Sequence, residues 1–256
     1  MKAVHILAML LALPAAQPSH AADARAAIGA AVADKSRTEA DSGRDGGRKP
    51  AETLAFAGVK PRSTVIELIP GGGYYTRLLS KVVGPHGHLY ALVPAPRADA
   101  APDAPDRSLP IKAIAAENGH GNVSVLVQPI RALRLPAGAD LVWTSDNYHD
   151  VKNVKDIDML AFNKSVFDAL KPGGHYLVID HAAAADAPAD VTDSLHRIRA
   201  ATVKEEVRAA GFVLEGESDV LHNAADNHEL KVFDPAIRGK TDQFVLMFVK
   251  PGRKAP

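Results

Sequence analysis

The chain has no cysteine, which excludes disulfides, thiolate-held metals and a cysteine nucleophile. It also lacks an excess of either charge, since 30 Lys and Arg balance 30 Asp and Glu. No global field steers it towards polyanions, so neither nucleic acid nor an anionic membrane is an expected partner. Long apolar runs are missing too: none reaches the roughly 20 residues that span a bilayer, so no membrane anchor is expected after the leader described below. Internal repeats are absent, which removes solenoids and propellers. What remains is an ordinary globular composition, 46% hydrophobic and 23% charged, over 256 residues. That length suits one α/β domain with additions.

The N-terminus is distinctive. Lys2 precedes a mostly apolar run from Ala3 to Leu13, interrupted by His5 and broken by Pro14. Ser19-His20-Ala21 then offers small residues at the two positions a signal peptidase reads. The pattern predicts a cleaved secretory signal over residues 1–21 and an exported protein, periplasmic or secreted. Residues 22–49 are rich in alanine and charge, and Ser36 to Arg48 carries almost no apolar side chain. They read as a solvated arm, partly helical over Ala24 to Ala33, that packs along a domain formed by residues 50–256.

Within that domain, elements of two periods alternate. Apolar, β-branched runs predict strands at Thr64–Leu68, His88–Val93, Val123–Val127, Asp140–Thr144, His175–Ile179, Phe212–Leu214 and Gln243–Val249. Helical spacing predicts helices from Pro50 to Gly58, Tyr74 to Val83, Pro110 to Glu117, Phe162 to Leu170 and Leu195 to Ala210. Lys171-Pro172-Gly173-Gly174 supplies turn chemistry between a helix and a strand. Alternation of this kind implies a Rossmann-like three-layer sandwich with a mostly parallel seven-stranded sheet. The last two strands, joined by a long loop, suit an antiparallel edge hairpin.

Strand, glycine loop and helix follow one another at Val65-Ile66-Glu67-Leu68-Ile69-Pro70-Gly71-Gly72-Gly73. Glycines let backbone approach a ligand, and the helix start offers free amides, although glycines also merely tighten turns. With Ala169-Leu170-Lys171-Pro172-Gly173-Gly174 and Ala209-Ala210-Gly211-Phe212 placed before later strands, the chain from Pro50 to Lys250 resembles class I S-adenosylmethionine-dependent methyltransferases. Within them it is similar to a group of exported bacterial predicted methyltransferases, on stretches such as Asn147 to Asp150 and Phe233 to Phe244. The resemblance implies S-adenosylmethionine as cosubstrate, a small-molecule acceptor, and a cofactor-binding set of Glu67, Pro70, Gly71, Gly72 and Gly73. The chain departs from the pattern in three places. Ile69 stands where the first glycine is usual. Leu92-Val93-Pro94 stands where a carboxylate usually holds the ribose, and Gln128-Pro129 where an acid often bonds adenine. Asp99 and Asp103, in the loop after the second strand, are acidic alternatives. Charge-assisted hydrogen bonds contribute about 1.5–3 kcal/mol each. Losing two predicts cosubstrate binding weakened about a hundredfold or more.

The ligand crevice of an open α/β sheet lies beyond the carboxyl ends of its strands. There Ser145-Asp146-Asn147-Tyr148-His149-Asp150 is the densest run of donors and acceptors in the chain. Asn147, Tyr148 and His149 are the candidate catalytic residues, to orient the acceptor and move a proton near neutral pH. The same stretch also reads as a helix cap at Asp146 or Asp150 with Tyr148 filling a core edge. His149, His181 and His196 would converge with Asp180 if the later segments fold back, but no tight ligand spacing assigns a metal site. The other histidines, His86, His88, His120, His222 and His228, read as surface or loop residues.

Overall fold

The computed structural model describes residues 20–96, 100–101 and 103–252. The leader reading therefore falls almost wholly outside the described residues, as does Asp99. No helix among the described residues is long and apolar enough to cross a membrane.

An N-terminal run of helices, α1 (His20–Val32), α2 (Glu39–Ser42), α3 (Asp45–Arg48) and α4 (Pro50–Phe56), leads into the alternating part. There β1 (Thr64–Leu68), α5 (Tyr74–Val83), β2 (His88–Pro94), α6 (Leu109–Ala116), β3 (Val123–Gln128) and β4 (Ala139–Ser145) follow in turn. Next come α7 (Tyr148–Lys152), α8 (Met159–Ala169), β5 (Leu170–His181), α9 (Val191–Ser194), α10 (Ala200–Ala209), β6 (Val213–Ser218) and β7 (Gln243–Val249). The strands form one seven-stranded sheet in the order β3-β2-β1-β4-β5-β7-β6. All pairs from β3 to β5 are parallel, whereas β7 runs antiparallel to both β5 and β6. The expected Rossmann-like sheet with an antiparallel edge hairpin is the architecture found.

Strand alternation divides the core. On one face, Val65, Leu89, Leu141, Trp143 and Leu177 pack against α5 and α6 with Ile28, Ala31 and Leu54. On the other, Ile66, Leu68, Val142, Tyr176 and Phe248 pack against Phe162, Val166, Val203 and Val207 of α8 and α10. Glu67 alternates with Ile66 and Leu68, so its side chain shares the α5 face with Val65. Ile28 and Ala31 of the arm are buried in the first core, so the arm is anchored rather than simply solvated.

Two expectations need correction. The helix expected from Leu195 begins only at Ala200. Residues 195–199 instead turn inwards, because the fully buried Arg197 guanidinium bonds Asp226 through two 2.9 Å contacts. Ile198 also forms a parallel bridge with Ala182. Lys171 to Gly174, expected as a turn between helix and strand, forms a bulge inside β5: the register with β4 jumps from Ala139–Leu170 to Leu141–His175, and Gly173 sits at φ 78.

Candidate functional site

At the carboxyl end of β1, Ile69 turns left-handed at φ 53. A β-branched residue there is a genuine outlier, with strain of order 1–3 kcal/mol. Flanking bonds impose it: the Ile69 N–H donates to Leu92 O at 2.8 Å, and Asn147 Nδ2 donates to Ile69 O at 3.1 Å. The departure from the glycine pattern is thus one of residue, while the backbone keeps the bend a glycine would make. Gly71 follows at φ 58, and a Cβ on Gly71 or Gly72 would meet nothing within 4 Å. Their open sides border a cavity of about 140 Å³.

Glu67, Pro70, Gly71, Gly72 and Asn147 all line this cavity. Gly73 does not. At φ 87 it precedes α5, and a Cβ there would lie 2.1 Å from Ile114 Cδ1, so it serves close packing. Asn147 lines the wall, but its amide is engaged by the backbone of the glycine loop, making it a residue that positions that loop. Tyr148 is fully buried in the opposite core, its hydroxyl donating to Glu206 at 3.0 Å and accepting from Asn163 at 2.8 Å. The core-edge reading of Tyr148 is therefore the correct one, and it cannot face a substrate in the cavity. Neither Asp146 nor Asp150 caps α7, whose N-cap is Asn147 without a side-chain cap bond.

Several lining residues had no signal in the glycine pattern: Arg44, Arg48, Tyr74, Tyr75, Trp143 and Asp146. The two arginines belong to the arm, where a polar run gives no hint of a ligand. Arg37 fixes this part of the arm by donating to Asp45 at 2.7 and 2.6 Å, and Asp45 accepts from Tyr74 at 2.6 Å. Arg48 pairs with Asp146 at 3.0 Å and lies 4.9 Å above the Tyr74 ring. Arg44 also lies over Tyr74, at 5.3 Å, yet has no ion pair among the described residues. Although the residue is exposed, partial desolvation and the like charge of Arg48 hold its affinity for a proton below the ordinary value. Trp143 is fully buried, and its indole N–H lacks a hydrogen-bond partner among the described residues.

Glu67 balances these cations imperfectly. Burial pushes its carboxyl up to about 7, against the opposing 2.6 Å bond from Thr76 Oγ1 and the charge of Arg48. Among the described residues the cavity thus combines a guanidinium without an ion pair, an indole N–H without a partner and a carboxyl poised near neutrality. Such walls suit a zwitterion: a carboxylate towards Arg44 and an ammonium towards Glu67.

Among the described residues just after β2 and β3 (94–96 and 128–132) there is no carboxylate for a ribose or adenine. Val93 is buried, Asp103 is exposed, and the Gln128 amide is consumed by the backbone of Arg134 at 3.0 and 2.7 Å.

His149 lies beyond the cavity wall. Its Nδ1 is 2.7 Å from Asp180 Oδ1, and its backbone N–H donates to Asp180 Oδ2 at 2.8 Å. Burial works against its charged form, but Asp180 and Asp150 outweigh it and raise its pKa to about 10. The ring therefore holds its proton at neutral pH and is not the general base expected. His181 and His196 do converge on it, with ring centroids 5.9 and 5.4 Å away. Of the other histidines, His120 is not a surface residue: it is buried with Nδ1 2.9 Å from Ser80 Oγ.

No family model matches the sequence, and no match is found among curated proteins. Solved structures do match. An S-adenosylmethionine-dependent methyltransferase from Aquifex aeolicus is 20% identical over 77% of this chain and 87% of its own, with a TM-score of 0.55. One from Mesorhizobium loti is 18% identical over 80% and 99%, at 0.53. Aeropyrum pernix fibrillarin, solved with natively bound S-adenosyl-L-methionine, is 15% identical over 80% and 76%, at 0.52. The fold is the class I methyltransferase fold. At these identities the likeness is one of architecture, and the chemistry has to be argued from the cavity itself.

Proposed function

We propose that this chain is an exported S-adenosylmethionine-dependent methyltransferase acting on a small-molecule acceptor. The observation that carries the reading is that Glu67, the open sides of Gly71 and Gly72, and Asn147 border one cavity facing Arg44 and Arg48. The cavity suits the methionine end of the cosubstrate, which when bound supplies an electrophilic methyl group on sulfur. Arg44 would pair with its carboxylate, and Glu67 would accept from its ammonium group. Gly71 and Gly72 admit close approach of backbone, and Asn147 holds the Ile69 bend that aims the loop. Holding both reactants in line is where much of the rate would arise. Over the ribose and adenine the chain offers no carboxylate among the described residues just after β2 and β3 (residues 94–96 and 128–132). Affinity is therefore expected to be modest.

Calorimetric titration of the full chain with S-adenosylmethionine tests this. One molecule bound per chain at micromolar affinity supports the proposal, and no heat at high micromolar concentration contradicts it. Export is tested separately, by the N-terminal sequence of the protein recovered from outside the cytoplasm, which should begin after residue 21.

A further inference from the structure

Three donor atoms gather next to the cavity. His149, Asp150 and His196 each contribute one, and all lie within 4.8 Å of one another. His149 Nε2 and His196 Nδ1 are each 3.3 Å from the same Oδ1 of Asp150. Donors held at about 2.0–2.1 Å around a tetrahedral ion stand about 3.3 Å apart, so the two His–Asp separations match two of such an ion's edges, and the two imidazole nitrogens lie within 4.8 Å of each other.

The supporting groups point the same way. Asp180 is fully buried and accepts from the His149 and His181 backbone N–H groups, both at 2.8 Å, besides facing His149 Nδ1. Its carboxylate fixes the ring with Nε2 outward, the arrangement that typically supports a metal-bound imidazole once the ion has displaced the Nε2 proton. His196 is held left-handed at φ 53, and its buried Nδ1 has no hydrogen-bond partner among the described residues. A non-glycine residue keeps such a conformation only where its surroundings impose it. Here the buried Arg197 to Asp226 pair anchors the next residue, and Phe233 lies 4.9 Å from the imidazole. Asp150 is half exposed, leaving one side of the group open.

We propose that His149, Asp150 and His196 bind a divalent first-row transition-metal ion, with Asp180 as the positioning residue behind His149. Two imidazoles and a carboxylate without thiolate suit Zn²⁺, Fe²⁺ or Co²⁺. Three protein ligands with an open side are the count found where a metal also takes water or substrate. Gln243 bonds both Asp146 in the cavity wall and His181 beside the cluster, linking the two centres. The proposal does not depend on the methyltransferase reading, because the ion is measured without cosubstrate.

The test is calorimetric titration of Zn²⁺ into the untagged, chelator-stripped full chain, with the Co²⁺ absorption spectrum as a second readout. One ion per chain at micromolar affinity or tighter is expected, with tetrahedral Co²⁺ bands. His196→Ala and Asp150→Asn, on the accessible side of the group, should each weaken binding by more than about a hundredfold without lowering the melting temperature of the metal-free chain. Asp180→Asn should cost about 10–100-fold, and His86→Ala, an exposed control, nothing. Absence of stoichiometric Zn²⁺ binding would overturn the proposal. Undiminished binding in both His196→Ala and Asp150→Asn would do the same.

Discussion

The two polar centres at the carboxyl edge of the sheet are built in opposite ways. The cavity beside Gly71 and Gly72 has most of its lining in one stretch, Glu67 to Tyr75, with a second wall from the end of β4 and two arginines of the arm closing it. The group around His149 is made of side chains from four separate stretches: α7, the end of β5, the turn before α10, and the segment preceding β7. Local chain geometry shapes the bed of the first, whereas every ligand position of the second depends on distant segments being packed together. Its integrity should therefore depend on scaffold residues that touch no ligand, whereas the cavity should depend on charges lining it.

The largest effect is expected at the scaffold of the second centre. Arg197→Ala leaves Asp226 as a buried charge without its partner, which costs about 3–5 kcal/mol. Urea denaturation should show that loss, while binding of S-adenosylmethionine under native conditions stays within a factor of a few. A loss under about 1 kcal/mol would mean that the inward turn is held by something else.

Next in size is a pH effect at the first centre. Because Glu67 has its carboxyl raised by burial, the folded state holds a proton that the unfolded state releases. Its contribution is complete below about 4.5 and is lost as pH rises through about 7. Between pH 4 and pH 8 the parent should lose roughly 3 kcal/mol more stability than Glu67→Gln. Parallel pH profiles for the two proteins would place the carboxyl in a more polar setting than the structure shows.

Smaller again is the effect of a charge on the cavity rim. Arg44→Ala should leave unfolding nearly unchanged, since Arg44 has no ion pair among the described residues to break. Removing a charge-assisted bond of about 1.5–3 kcal/mol should still weaken S-adenosylmethionine about ten- to a hundredfold. Equal affinity in parent and variant would detach the arm from the cavity's chemistry.

The same contrast explains what could be read in advance. Thr64–Leu68, Tyr74–Val83 and Gln243–Val249 have the boundaries expected of them, because apolar period and glycine punctuation act locally. Glu67 and the loop after it were legible for the same reason. Arg44 and Arg48 were not, since a charged residue in a polar run looks the same whether it meets solvent or a ligand. Helical spacing placed Leu195 to Arg199 in a helix, but the burial of Arg197 against Asp226 overrides that preference. Tyr148 shows the limit most sharply. It adjoins two functional candidates in sequence, yet a single turn at Asn147 sends it into the opposite core.

A crystal structure of the full chain with S-adenosylmethionine measures the central claim most directly. The amino-acid end of the ligand should lie between Arg44 and Glu67, with its backbone contacts at Gly71 and Gly72. A ligand bound elsewhere, with that cavity closed by the side chains of Tyr75 and Trp143, would contradict the account.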